Sequence, residues 1–240
     1  MMKKEFENIE VLILCGGKGT RLRTIINDRP KPMAEIHGVP FLDILLDMLA
    51  SHGLVNYILC IGHMGEYIER YYRETKPDLN IRFSRESKPL GTGGAIKNAQ
   101  ELIGGNHFII LNGDSYCNLD FEKFIDFHIQ KEAALTIAVS DVMDSHDYGT
   151  ISIDKEKRLI SFNEKTNTRG RSCVNAGIYC MNKDIFSLMH AKDTFSLEYD
   201  FFPTILTNRC FAYITQQPFF DIGTPERYNV LSLEFNNTLK

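Results

Sequence analysis

The chain has 240 residues, 43% of them hydrophobic, and carries a net charge of −4 with a pI of about 6.0. That balance supports a sizeable buried core and excludes a nucleic-acid surface, which needs basic stripes spread over a whole domain. No run approaches the roughly 18 apolar residues of a membrane span, the start Met1-Met2-Lys3-Lys4-Glu5 is charged with no signal-type stretch, and the six cysteines form no Cys-x-x-Cys pair, so a cytoplasmic protein with reduced thiols and no membrane partner is expected.

In chain order, residues 9–15 read as a buried first strand, and residues 40–51 as a helix with Phe41, Ile44, Leu45, Met48 and Leu49 on one face. Strand and helix then alternate, with strands at 56–61, 80–84 and 107–111 and helices at 64–73 and 92–102. Parallel neighbours need a connection of helix length, so this order predicts a parallel sheet with right-handed crossovers and a ligand at the carboxyl ends of its strands. After a helix at 121–131 the pattern turns to short β-rich pieces at 134–140, 149–153, 159–162 and 174–180. Helical stretches at 182–190 and 197–208 follow, then strands at 211–215 and 219–222 and a last helix from Thr224 with Pro225 at its first position. No Pro-, Gly- or Ser-rich linker divides the chain and no repeat is visible. The expected architecture is a single α/β domain over 1–240, a Rossmann-like three-layer sandwich with a mostly parallel mixed central sheet and a smaller β-rich part.

The segment Leu14-Cys15-Gly16-Gly17-Lys18-Gly19-Thr20-Arg21-Leu22 leaves the first strand and needs a polyanion to make sense. Its three glycines allow positive φ and bring bare N–H groups against phosphate oxygens, and Arg21 adds a rigid bidentate fork. A Walker loop would place Ser or Thr where Gly19 stands, and a dinucleotide fingerprint would place a third glycine where Leu22 stands. Between Lys18 and Lys31 the charges run five positive to one negative in an otherwise acidic chain, which focuses a small anion such as a nucleoside triphosphate. Pro30 and Pro32 limit where the Lys31 ammonium points. Alone, the glycines suit a tight turn and Lys31 a solvated surface; together they predict a phosphate cradle.

These residues resemble the sugar-phosphate nucleotidyltransferases, whose signature is a Gly-Gly-x-Gly-Thr-Arg-Leu loop followed by Pro-Lys-Pro. The resemblance continues through Glu86-Ser87-Lys88-Pro89-Leu90-Gly91-Thr92-Gly93-Gly94-Ala95, Leu111-Asn112-Gly113-Asp114, Phe162-Asn163-Glu164-Lys165, Asn175-Ala176-Gly177-Ile178-Tyr179 and Asp221-Ile222-Gly223-Thr224-Pro225-Glu226. It implies a nucleotide-binding half over about 1–120 and a sugar-phosphate-binding half over about 121–240, with a nucleoside triphosphate and a sugar 1-phosphate as partners. Leu14, Gly16, Gly17, Gly19 and Thr20 would cradle the nucleotide, with Leu90 and Gly91 at its base and ribose. Gly149, Glu164, Lys165 and Asn175 would meet the sugar phosphate, although from the residues alone Glu164-Lys165 reads equally well as an exposed pair and Asn175-Ala176-Gly177 as a bend into a strand. The chain ends soon after the last helix, so the appended acyltransferase domain of some members is expected to be absent; a homo-oligomer is compatible with the sequence.

The chemistry such a pairing implies needs no general base. A sugar 1-phosphate brings an ionised oxygen as nucleophile and pyrophosphate leaves without a proton, so catalysis reduces to holding two polyanions in line and neutralising charge with Arg21, Lys31 and Mg²⁺. Asp114 and Asp221 are the expected metal ligands, each beside a strand-like run and close to a glycine, with a turn residue and a helix cap as the plainer alternatives. None of the seven histidines has metal or nucleophile spacing; His63, beside Gly62 at a strand end, is the one to follow. Pro89-Leu90-Gly91-Thr92-Gly93 resembles members that use GTP on manno-configured sugars, and the motif set is most similar to the short guanylyltransferases for D-glycero-α-D-manno-heptose 1-phosphate. Mannose 1-phosphate, or a hexose with another base, stays open. A glycosyltransferase is disfavoured because Asp114-Ser115-Tyr116 lacks the second acid of an Asp-x-Asp motif, and a non-catalytic sensor because Arg21, Lys31 and both aspartates are present.

Overall fold

A computed structural model describes residues 8–143, 150–163, 171–189 and 192–238. Strands β1 (Glu10–Leu14), β4 (Asn56–Ile61), β5 (Ile81–Arg85) and β6 (His107–Asn112) run parallel in the order β5-β4-β1-β6. The sheet continues from β6 into antiparallel β11 (Arg171–Asn182), which also pairs with β8 (Leu135–Met143); β12 (Cys210–Thr215) adds parallel to β8, and β9 (Thr150–Ile153) and β10 (Leu159–Asn163) extend the other path from β11. The central sheet is therefore mixed and mostly parallel in its first half.

Two apolar cores lie on its opposite faces, because successive strand residues point to opposite sides. Val11, Ile13, Tyr57, Leu59, Ile109 and Leu111 face one core, closed by helices α1 (Phe41–Ser51), α2 (Gly65–Thr75), α4 (Phe121–Gln130) and α6 (Pro225–Thr238). Leu12, Ile58, Phe108 and Ile110 face the other, closed by α3 (Gly91–Asn98) and α5 (Phe202–Ile205). Burial on both faces explains why β1, β4 and β6 are continuous apolar runs, whereas the edge strand β5 alternates. The α1 stripe buries Phe41, Leu45, Met48 and Leu49 as expected, together with Leu42 and Leu46, while Ile44 is only partly covered.

Three local features differ from the sequence expectation. The helical stretch expected over 182–190 is, among the described residues, a short 3₁₀ helix, Lys183–Leu188. The helix expected over 197–208 opens as a π turn, Leu197–Phe201, before α5: Pro203 has no N–H to offer, and the preceding turn widens so that Phe202 N–H reaches the Leu197 carbonyl. Two-residue strands also go unseen in the sequence, namely the hairpin β2 (Glu35–Ile36) with β3 (Val39–Pro40) and β7 (Ser115–Tyr116), which pairs antiparallel with β13 (Phe220–Asp221).

His128 on α4 is fully buried, with Nδ1 bonded to Thr136 Oγ1 at 2.8 Å and its ring edge-on to His107 at 5.2 Å. Burial, with the His107 charge adding, pushes its pKa down to about 3. The folded state then leaves His128 neutral where the unfolded chain takes up a proton below about pH 6.5, so stability is intact above that value and falls as pH drops toward 3. At pH 5 the expected loss is about 2 kcal/mol. Urea midpoints at pH 7 and pH 5 should show it, and His128→Gln should flatten the difference; equal slopes for both proteins would contradict the assignment.

Candidate active site

Parallel strands deliver their carboxyl ends to one edge, and the loops leaving β1, β4, β5 and β6 line a single cleft of 690 Å³. Leu14, Gly16, Gly17, Gly19, Thr20, Arg21, Lys31, Gly91 and Asp114 all reach it. The cradle turns at one glycine. Gly19 alone of the three has positive φ, +58°, and its carbonyl accepts from the N–H groups of Leu22 and Arg23 at 3.1 and 3.2 Å, which starts the 3₁₀ helix Leu22–Thr24. A Cβ at Gly19 would stand 3.0 Å from Lys31 Cβ, so the loop folds directly over the Pro-Lys-Pro segment. Arg21 is exposed, and its guanidinium makes no hydrogen bond or ion pair among the described residues.

Lys31 begins the 3₁₀ helix Lys31–Met33 behind Pro30, and its ammonium is ion-paired with Asp114. Burial alone would raise the Asp114 carboxyl; the Lys31 charge and hydrogen bond, with Ser115 Oγ at 3.1 Å, outweigh it and hold the group below its ordinary value. The β7–β13 ladder sets Asp221 opposite Ser115, and the Asp114 carbonyl accepts from Ile222 N–H at 2.9 Å, so the two aspartates lie side by side. Asp221 is buried and accepts from Gly223 N–H at 2.7 Å and from Arg227 at 3.1 Å. It does not cap the last helix; Thr224 Oγ1 accepts the Arg227 N–H there. A Cβ at Gly223 would lie 3.6 Å from Arg21 Nη2, which puts the arginine beside this turn.

Leu90 is placed differently from the other nucleotide candidates: its side chain is buried in the core and its N–H donates to Glu86 Oε2 at 3.1 Å, while Gly91 faces the cleft. Gly91 has φ +73° and a Cβ there would be 2.6 Å from the Phe195 carbonyl, so this glycine admits the 193–195 segment as well as any ligand. Of the residues expected to meet the sugar phosphate only Asn175 is described; Gly149, Glu164 and Lys165 lie outside the described residues. Asn175 sits where the β11–β8 register shifts, accepting from Gly177 N–H at 2.9 Å and donating to Tyr179 Oη at 2.8 Å. Tyr179 donates to Glu198 at 3.4 Å, and Glu198 accepts from Thr92 Oγ1 at 2.7 Å and Ser196 Oγ at 2.8 Å. This relay joins the start of α3 to β11.

His63 also lines the cleft, with its N–H on the Gly16 carbonyl at 3.2 Å. Cys15, at the cleft floor, is buried, and burial followed by Cys60 and Asp114 pushes its thiol up, which makes it an inert packing group and no nucleophile. What the cleft offers is the Asp114 carboxylate with Lys31 and Arg21 at the β1/β6 end, glycine backbone along the middle and no activated nucleophile; Asp221 is not among its lining residues and is ion-paired with Arg227.

The family model described as Nucleotidyl transferase matches residues 10–237. The chain belongs to that family. As a nucleotidyltransferase it is 36% identical over 220 residues to a D-glycero-alpha-D-manno-heptose 1-phosphate guanylyltransferase of Campylobacter jejuni, covering 92% of this chain and 97% of that one. A relative of the same description from Aneurinibacillus thermoaerophilus is also 36% identical, over 95% of this chain and 99% of its own. HddC from Yersinia pseudotuberculosis, solved alone and complexed with GMP-PN, superposes on this nucleotidyltransferase with a TM-score of 0.86 at 38% identity, covering 95% of this chain and 99% of HddC.

Proposed function

We propose that this nucleotidyltransferase transfers a guanylyl group from GTP to D-glycero-α-D-manno-heptose 1-phosphate, giving GDP-heptose and pyrophosphate. The observation that carries the reading is the end-to-end likeness to two heptose 1-phosphate guanylyltransferases, joined to a cleft lined by Arg21, Lys31 and Asp114, with Asp221 beside Asp114 on the β7–β13 ladder. The nucleotide lies along the Gly16–Thr20 backbone, Arg21 neutralises charge that builds on the reacting phosphate, and Lys31 exchanges its Asp114 partner for phosphate oxygens. The sugar phosphate enters from the β11 side, where Asn175 reads a hydroxyl; Glu164 and Lys165 are its further expected partners. The enzyme works in the cytoplasm, in keeping with free cysteines and with the finding that, among the described residues, no helix is long and apolar enough to cross a membrane.

Asp114 and Asp221 fit Mg²⁺, a hard cation held through one or two protein carboxylates with phosphates and water completing its shell. Bound there, the ion supplies charge neutralisation of the triphosphate. Asp114→Asn and Asp221→Asn should each raise the Mg²⁺ concentration for half-maximal turnover and lower the maximal rate, since a neutral amide is a weaker ligand. Magnesium titrations that superpose on the wild-type curve in both variants would remove the assignment. The function itself is tested by mass analysis of products after incubation with each nucleoside triphosphate and a panel of sugar 1-phosphates. GDP-heptose as the main product is expected, and a dominant product with another base or sugar would overturn the reading.

A further inference from the structure

Three hydroxyls converge on one carboxylate that has no part in the chemistry above. Glu198 accepts from Thr92 Oγ1 at 2.7 Å and Ser196 Oγ at 2.8 Å on its Oε2, and from Tyr179 Oη at 3.4 Å on its Oε1. The chain around it makes that convergence possible. Residues 193–195 dock on the start of α3: the Phe195 carbonyl accepts from the N–H groups of Gly93 and Gly94 at 3.0 and 3.2 Å, and Phe195 N–H donates to the Leu90 carbonyl at 3.0 Å. A Cβ at Gly93 would stand 2.2 Å from the Phe195 ring, so an approach this close requires glycine. Ser196 then caps the π turn by accepting from the N–H groups of Glu198 and Tyr199 at 3.2 and 3.3 Å, which leaves the Glu198 side chain within reach of Thr92.

The direction of each bond in this cluster follows from its fixed ends. A backbone N–H only donates and a carboxylate only accepts, whereas a hydroxyl does both. Leu197 N–H donates to Thr92 Oγ1 at 2.8 Å, and the Thr92 hydrogen goes on to Glu198. At the other end Gly177 N–H donates to Asn175 Oδ1, which turns the amide so that Nδ2 donates to Tyr179 Oη, and the Tyr179 hydrogen goes on to Glu198. Both paths therefore run from backbone N–H into the same carboxylate. Asn175 Nδ2 carries a second N–H, which has no acceptor among the described residues. Turning the Tyr179 hydroxyl aside forfeits one long bond, so its direction is preferred and not locked.

We infer that Glu198 is a positioning residue for the sugar phosphate: by drawing the Tyr179 hydrogen to itself it keeps Asn175 a hydrogen-bond donor, so that a sugar hydroxyl oxygen is met by N–H. This deepens the functional reading above and rests on its placement of Asn175 at the sugar. A glutamine at 198 breaks the scheme at one point. Its single oxygen stays where Thr92 and Ser196 both donate, so its amide nitrogen faces Tyr179. The Tyr179 hydrogen then loses this acceptor and competes with Gly177 N–H for Asn175 Oδ1, and the preference that made Asn175 a donor is gone.

The test is kcat and KM for the heptose 1-phosphate and for GTP in wild type, Glu198→Gln, Tyr179→Phe, the double variant and Asn175→Ala, with thermal melts alongside. Glu198→Gln should raise KM for the heptose 1-phosphate by about 10-fold, the scale of one hydrogen bond to a charged group, and leave KM for GTP within about twofold because the Thr92 contact survives. Tyr179→Phe removes the hydroxyl that carries the effect, so adding Glu198→Gln to it should raise KM no further. KM values that rise equally for both substrates, or effects of the two substitutions that simply multiply, would show that Glu198 only braces the chain, and the inference would be wrong. It is equally wrong if Asn175→Ala raises KM for the heptose 1-phosphate and Glu198→Gln does not. If Asn175→Ala itself leaves that KM unchanged, the placement of Asn175 at the sugar fails and the Glu198 role with it. If wild type forms no GDP-heptose, the functional reading fails first and takes both with it.

Discussion

Arg21→Ala is expected to lower kcat by about 10² or more, the usual scale for removing one transition-state charge partner, while leaving the fold unchanged. The structural ground for separating the two effects is that Arg21 is exposed and its guanidinium makes no contact whose loss would unfold the loop; the turn is closed by backbone bonds to the Gly19 carbonyl. Its position beside the Gly223 turn puts it near the paired aspartates, where an incoming phosphate brings negative charge. Arg21→Lys should recover little, because a point charge cannot reproduce a planar fork on two phosphate oxygens. Initial rates at saturating substrate, with thermal melts as control, decide it: turnover near wild type with an unchanged melt would sink the role.

The parts of this site that are legible in the sequence are those carried by local pattern. The apolar run before Gly16 predicts β1, alternating strands and helices predict the parallel order, and together they place the cradle and Asp114 just past strand ends. What is not legible is set by contacts between distant residues. Lys31 meets Asp114 across 83 positions and Thr92 meets Glu198 across 106, and nothing in the sequence pairs these partners. Asp221 is brought beside Asp114 because β13, within the strand expected over 219–222, pairs with β7, whose two residues are too few to leave a period. The same limit applies to glycine: three in the loop suggest general backbone freedom, yet only Gly19 uses positive φ, while Gly16 makes room for Glu86. Leu90 sits next to the residue that faces the cleft, and a one-residue offset along the chain turns its side chain into the core.

The choice of base should be far sharper than the choice of sugar. A pocket built to hydrogen-bond a guanine edge leaves buried groups unpaired when a pyrimidine enters, and such mismatches cost roughly 10⁴ in kcat/KM. A pocket that merely accommodates the extra CH(OH) of a heptose discriminates against the smaller mannose by only about 10-fold to 200-fold, because the loss is one small group from a site that stays otherwise filled. GTP with mannose 1-phosphate should therefore give measurable GDP-mannose, whereas the heptose substrate with dTTP, UTP or CTP should give almost none. The two halves of the cleft give this asymmetry a physical basis. On the nucleotide side the cleft is built largely of backbone, with Gly16 and Gly62 packed against the Glu86 carboxylate. Asn175, the residue proposed for the sugar side, is held by Gly177 N–H and by the Tyr179 hydroxyl, which can rotate to suit a different neighbour. Steady-state kinetics over the full panel of triphosphates and sugar 1-phosphates measures both ratios at once. A sugar preference exceeding the base preference would reverse the assignment of which half sets specificity, and a best pair of dTTP with glucose 1-phosphate would remove guanine while leaving nucleotidyl transfer and the roles of Arg21, Lys31 and the aspartates in place.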